Sequence, residues 1–199
     1  MRSPAISIVE QRFLRGPSLW SGKSCLVTVL DMGPMAHALS SDIPGLGERI
    51  LSLFPGMHDY AEPLRRGSFI AEVLGRMALE LQRMAGAPTC KPGALTVHGR
   101  RGQVRIVVHG AVEQLAVQAF ELAADIVMAL CSGRKVALRV RLAALRRTAQ
   151  LFHPERWPRR ALSASLARAP GGEGRVDFMH GHPGEHGQHE QQRLVAAAC

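Results

Sequence analysis

Gly16-Pro17-Ser18-Leu19-Trp20-Ser21-Gly22-Lys23-Ser24 brings glycines, a lysine and hydroxyls together in the manner of a phosphate-binding loop. Such a loop needs four residues between its glycines, so that backbone N–H groups converge on phosphate. It also needs a helix behind it whose N-terminus faces the anion. Five residues separate Gly16 from Gly22, and the β-branched run at 25–31 predicts a strand instead. The spacing argues against ATP binding. Glu72, Arg76 and Glu80 stand four apart on one helical face. They suit either a solvent-exposed ion ladder or a row offering both charge signs to a ligand. His180, His182, His186 and His189 form a tract able to hold nickel, zinc or copper ions loosely. No element frames them, and ordered ligand geometry is what makes a metal site selective. They read as incidental histidines of a tail, and no cofactor is expected.

Cysteine chemistry is equally sparse. Cys25, Cys90, Cys131 and Cys199 are scattered, with no C-x-x-C pair for a zinc ribbon or redox motif. Cys25 and Cys131 sit in apolar contexts and read as small buried hydrophobes, reduced in a cytoplasmic protein. The N-terminus lacks the apolar region of a signal peptide, and no apolar run reaches the ~18 residues that span a membrane.

The formal net charge of +9 is confined to one block. Residues 1–133 are nearly balanced at +2, residues 134–168 carry +9, and residues 169–199 carry −2. A basic block of that kind fits phosphate backbones, through Arg139, Arg141, Arg146 and Arg147, or a solvated helix face. Only Phe152 and Trp157 interleave it for base stacking.

The elements that must position these groups follow from periodicity and punctuation. Residues 5–14 and 25–31 read as strands separated by the Gly16-Pro17-Ser18 turn. Asp42 is the expected N-cap of a helix carrying Ile43, Leu46, Ile50, Leu53 and Phe54, stopped by Pro55-Gly56. Ser68 is the expected N-cap of a longer helix, with Ile70, Val73, Leu74, Met77, Leu81 and Met84 as its stripe and Gly86 as its stop. Residues 95–109 read as a hairpin, and 112–131 and 137–152 as helices. Beyond His153, Pro- and Gly-rich punctuation removes any period, so 154–199 reads as a disordered tail. The expected fold is α+β: one domain over 1–153, with a small, mostly antiparallel sheet covered by about four helices. Apolar residues make up 46% and aromatics only 5%, so its core must be aliphatic.

Three stretches, in order, resemble the N-terminal domain of cyanophycin synthetase. They are Arg15-Gly16-Pro17-Ser18-Leu19-Trp20-Ser21; Ile43-Pro44-Gly45-Leu46 with Glu48-Arg49 and the Phe54-Pro55-Gly56 stop; and Ala78-Leu79-Glu80-Leu81-Gln82 followed by Ala85-Gly86. The likeness runs over residues 6–150 and is weaker from the hairpin onward. That family makes a polymer with a polyaspartate backbone and arginine on each side chain. The resemblance implies an ATP-grasp and a Mur-ligase-like module in full-length members. Nothing after His153 resembles either, so the family's ATP-dependent ligase activities are not expected of this chain. In many relatives the helix before the alanine-leucine-glutamate-leucine-glutamine stretch carries His-x-x-Glu-His, a zinc-type site associated with clipping polymer into primers. Here the matching positions are Glu72, Gly75 and Arg76, which cannot form it.

The resemblance therefore implies a non-catalytic domain that binds the arginyl-polyaspartate polymer or docks on a synthetase. Its candidate contacts are Arg15, Arg65, Arg66, Arg76 and Glu80. No membrane partner is expected, and a homo-oligomer stays open. The alternatives are a nucleic-acid binder using the arginine block, or a non-functional fragment of a broken synthetase gene with a frame-shifted end.

Overall fold

The structure, a computed structural model, describes residues 6–87, 94–99 and 102–152. The tail, its four histidines, Cys90 and Cys199 lie outside the described residues.

Four strands form one sheet: β1 (Ser7–Leu14), β2 (Cys25–Asp31), β3 (Ala94–His98) and β4 (Gln103–His109). Their order is β1-β2-β4-β3, and every pairing is antiparallel. Register follows the alternation of side chains across a pleat. Leu26, Thr28 and Leu30 of β2 lie opposite Val108, Ile106 and Val104 of β4 on one face. All six are buried. Val27 and Val29 lie opposite Val107 and Arg105 on the other face.

Helices cover the first face. α3 (Ile70–Met84) and α4 (Glu113–Cys131) pack on it, with α1 (Leu46–Leu53), α2 (Ala61–Arg66) and α5 (Leu138–Phe152) around them. The α3 stripe reads as the sequence predicts: Ile70, Val73, Leu74, Met77 and Leu81 are buried, and Met84 is partly so. The core is aliphatic, with Phe54 and Phe120 as its fully buried aromatics. Gly75 lets α3 approach the sheet closely, because a Cβ there would stand 3.1 Å from Ile106 Cγ2 and 3.2 Å from Ala94 Cβ. Five helices stand where about four were expected. The extra one is α2, whose six residues include Pro63 and are too few to show a period.

Two expected caps do different work. α1 starts at Leu46 behind Gly45, which adopts φ 66°. Asp42 instead accepts from Leu39 N (2.8 Å), closing the 3-10 turn Ser40–Asp42. α3 starts at Ile70 without a side-chain cap. Ser68 is buried, and its N–H donates to Ser40 Oγ (2.9 Å), which in turn donates to Leu64 O (2.7 Å). Both residues tie the 40–42 turn to its neighbours rather than opening a helix. α4 is by length and composition apolar enough to cross a membrane, but much of it is buried here as the core helix.

Candidate functional site

The Trp20 loop does not project from the fold. It returns over the sheet face that the helices leave open. Trp20 packs on a small second core of Cys25, Val27 and Val107, with Leu14 beside it. The Arg105 guanidinium lies 5.1 Å from the Trp20 ring centroid, a cation–π contact. The phosphate-loop reading fails here in structure as well as in spacing, because Ser24 leads directly into β2.

The end of β4 is a junction. Ser21 Oγ and His109 Nε2 share a 2.6 Å hydrogen bond, and Lys23 N donates to the same Oγ (3.0 Å). On the opposite side of that strand end, Gln82 Nε2 of α3 donates to His109 O (3.1 Å). Gly110 N donates to Ser24 O (3.2 Å). A Cβ on Gly110 would stand 2.9 Å from both Ala116 Cβ and Gln82 Oε1. The first and third motif stretches thus meet through His109 and Gly110. A Ser–His pair invites a nucleophile–base reading, which needs a third group to orient the imidazole. His109 Nδ1 is buried, with no hydrogen-bond partner among the described residues. The pair ties the loop to the sheet.

The second and third stretches meet at Gly56. Glu80 is 6% exposed and accepts from Arg83 through both oxygens, at 2.6 Å from Nε and 2.5 Å from Nη2. That bidentate pair drives the Arg83 pKa up, chiefly through the hydrogen bond to Glu80. A Cβ on Gly56 would collide with Glu80 Oε1 and Arg83 Nη2 and stand 2.7 Å from Glu80 Cδ. The expected Glu72-Arg76-Glu80 ladder is therefore replaced: Glu80 belongs to Arg83. Arg76 lies over the Tyr60 ring, 4.9 Å from its centroid. Burial pushes the Tyr60 hydroxyl pKa up, a hydrogen bond with Ser68 opposes that, and the Glu72 carboxylate adds to it. The outer two of the three expected positions, Glu72 and Arg76, are thus engaged with Tyr60. The middle one is Gly75, where a Cβ would stand tightly against Ile106 and Ala94. Among the described residues no group of three or more His, Cys, Asp or Glu side chains could hold a metal ion.

The candidate cations are dispersed. Arg65, Arg66 and Arg76 are exposed, the first two at the C-terminal end of α2 and the third on α3. Arg66 pairs with Glu62 (2.8 Å) across one turn. Arg15 stands elsewhere. It pairs with Glu113 (3.1 Å) beside a groove of about 730 Å³ lined by Phe13, Val112, Val117 and Phe152. On α5, Arg141 pairs with Asp125 (2.8 Å), and Arg146 Nε donates to Met84 O (3.2 Å) at the C-terminus of α3. Arg139 and Arg147 are exposed. Sequence reading missed Arg83, Gln82, His109 and Arg105. Only Arg83 had a local signal, its i,i+3 spacing from Glu80; the others act through pairings remote in sequence.

The model of the cyanophycin synthase-like N-terminal domain matches residues 27–132, more than half of the chain. The chain belongs to this domain family. The matched stretch runs from β2 to the last turn of α4, so β1, the Trp20 loop and α5 fall outside it. Curated cyanophycin synthetases are similar to it. That of Synechocystis sp. is 32% identical over 93 residues, which is 41% of this chain and 11% of the relative. That of Trichormus variabilis is 31% identical over 91 residues, or 40% and 10%. That of Geminocystis herdmanii is 27% identical over 95 residues, or 42% and 11%. The chain thus spans about a tenth of the length of the curated relatives it matches. What it shares with the synthetases is the cyanophycin synthase-like N-terminal domain.

Proposed function

We propose that this chain is a non-catalytic domain that holds an arginyl-polyaspartate polymer on its surface. Membership in the cyanophycin synthase-like N-terminal domain family carries the reading. Two features support it. The positions matching a metal-type hydrolytic site are occupied by Glu72, Gly75 and Arg76, two of them committed to Tyr60 and one pressed on the sheet. Exposed cations stand beside carboxylates at Arg66–Glu62 and Arg15–Glu113. Exposed ion pairs are worth ~0–1 kcal/mol, so they exchange readily for a ligand carrying both signs. The proposed contacts are Arg76 over Tyr60, Arg65 and Arg66 at the end of α2, and Arg15 as a separate one. Glu80 has both oxygens engaged and serves as a support.

Many weak contacts along a repetitive polymer add as avidity, and salt screens each of them. The full chain should co-sediment with insoluble cyanophycin at low ionic strength and be released as salt is raised. Replacing Arg65, Arg66 and Arg76 with serine should lower the bound fraction. Failure to co-sediment even at low salt removes the proposal. A nucleic-acid reading predicts the opposite dependence, on Arg139 and Arg147. Those are better changed to glutamine than deleted with 134–199, because α5 buries Leu138, Leu142, Leu145 and Ala149 in the core.

A further inference from the structure

The outer edge of β1 is one end of the sheet among the described residues. β1 is the first strand of the order β1-β2-β4-β3, and among the described residues it pairs only with β2. Backbone N–H and C=O groups of alternate β1 residues therefore point away from the sheet. The strand is eight residues long, and Ile8 and Val9 are exposed at 38% and 56%. A register shift between Ile8 and Glu10 marks Val9 as a bulge, so the regular ladder is Glu10–Leu14.

Charge decides what this edge can accept. Glu10 and Arg12 lie on the same sheet face, opposite Val29 and Val27, and pair at 2.7 Å with side chains 50% and 74% exposed. Charges on an edge strand ordinarily repel further pairing. They become complementary when the incoming strand is the same one, running antiparallel, with the two-fold axis through Gln11. Glu10 then faces Arg12 of the second copy, and Arg12 faces its Glu10, closing a square of alternating signs. Moving the axis by one residue puts Arg12 on Arg12 or Glu10 on Glu10, and like charges directly opposite are destabilising. The interface is isologous, so it closes on itself as a dimer.

We propose that two copies pair through β1, antiparallel and centred on Gln11, to make one eight-stranded sheet. The proposal is independent of polymer binding, since neither Glu10 nor Arg12 belongs to the proposed polymer contacts. An edge of this length buries less than a standard interface, so association is expected to be weak and concentration-dependent.

The test is mass measurement of the full chain by light scattering or sedimentation across a concentration series at low salt. The expected result is a shift from 21.6 kDa toward twice that mass. Glu10→Arg alone and Arg12→Glu alone should each remain monomeric, and the double exchange should dimerise again. Circular dichroism on all three confirms folding. Gln11→Cys should form a disulfide-linked dimer under mild oxidation, with the unsubstituted chain as control, because a residue on the axis faces itself within disulfide reach. A monomer at every concentration overturns the proposal. So does a dimer indifferent to both single reversals, a double exchange that fails to restore it, an open-ended oligomer, or no cross-link at position 11.

Discussion

Replacing Gly56 with alanine should have opposite signs in two backgrounds. Gly56 has no positive φ, so its backbone conformation suits an L-residue. On that ground alone Gly56→Ala would stabilise by ~0.4–1 kcal/mol, through the lower entropy of the unfolded chain. The Cβ, however, enters the space of Glu80 Oε1 and Arg83 Nη2. Overpacking of this kind costs ~1–3 kcal/mol. The colliding atoms are side-chain ends, but Glu80 is buried and held on two oxygens, so it cannot swing aside without leaving its carboxylate unpaired. The net expectation is a loss of about 1–2 kcal/mol in the native background. Glu80→Ala removes one colliding group and releases the half-exposed Arg83 side chain to swing clear. In that background Gly56→Ala should be neutral or stabilising, giving a coupling of about 2 kcal/mol between residues 24 positions apart. Urea unfolding of the four proteins, followed by far-ultraviolet circular dichroism, closes the cycle. If Gly56→Ala is stabilising in the native background, or its effect is the same in both, the glycine is not there to accommodate the ion pair.

Two further outcomes follow from the open sheet face and the buried acids. Trp20→Ala should cost about 2 kcal/mol, less than a fully buried tryptophan because the ring is only half-buried, and should speed labelling of Cys25 by a thiol reagent in the folded protein. Unchanged Cys25 labelling would mean that Trp20 does not seal it. Burial raises the Cys25 and Cys131 thiols above 9.0 and the Tyr60 hydroxyl above 10.0. At such pH the native state keeps protons that the unfolded chain has lost, so unfolding free energy should hold below about pH 9 and fall above it. A stability curve flat through about pH 10.5, or Cys25→Ser/Cys131→Ser showing the same early decline, would contradict that assignment.

The elements with a strong period were readable from sequence, and the reasons others were not are local. β2 and β4 announce themselves by β-branched runs, and α3 by an apolar stripe that the structure buries. α2 was hidden because six residues with a proline hold less than two turns. Asp42 and Ser68 have the composition of N-caps, yet their side-chain partners are chosen by chain packing: Leu39 N for Asp42, and Tyr60 for Ser68. Propensity could not rank those against a helix N-terminus. The Glu72-Arg76-Glu80 row had the spacing of a ladder, but Arg83 offers Glu80 a bidentate fork and Tyr60 offers Arg76 a ring. Spacing alone says which side chains share a face, not which competitor wins.

The same distinction bears on what the three motif stretches are for. The loop at 15–21 ends on His109 through Ser21, and the stretch at 78–82 reaches the carbonyl of that same residue through Gln82. The Phe54-Pro55-Gly56 stop leaves the space that Glu80 and Arg83 occupy. Each motif is thus a partner of another, joined through the end of β4 or through Gly56, and most of the polar atoms involved are already engaged. Groups so engaged are poor ligands, since binding would first have to break what they hold. The proposed polymer contacts Arg15, Arg65, Arg66 and Arg76 are instead exposed. The three stretches, two of them inside the matched 27–132, therefore specify the scaffold. Polymer binding, as proposed, rests on exposed charges: Arg15 at the head of the first stretch, and Arg65, Arg66 and Arg76 between the second and third.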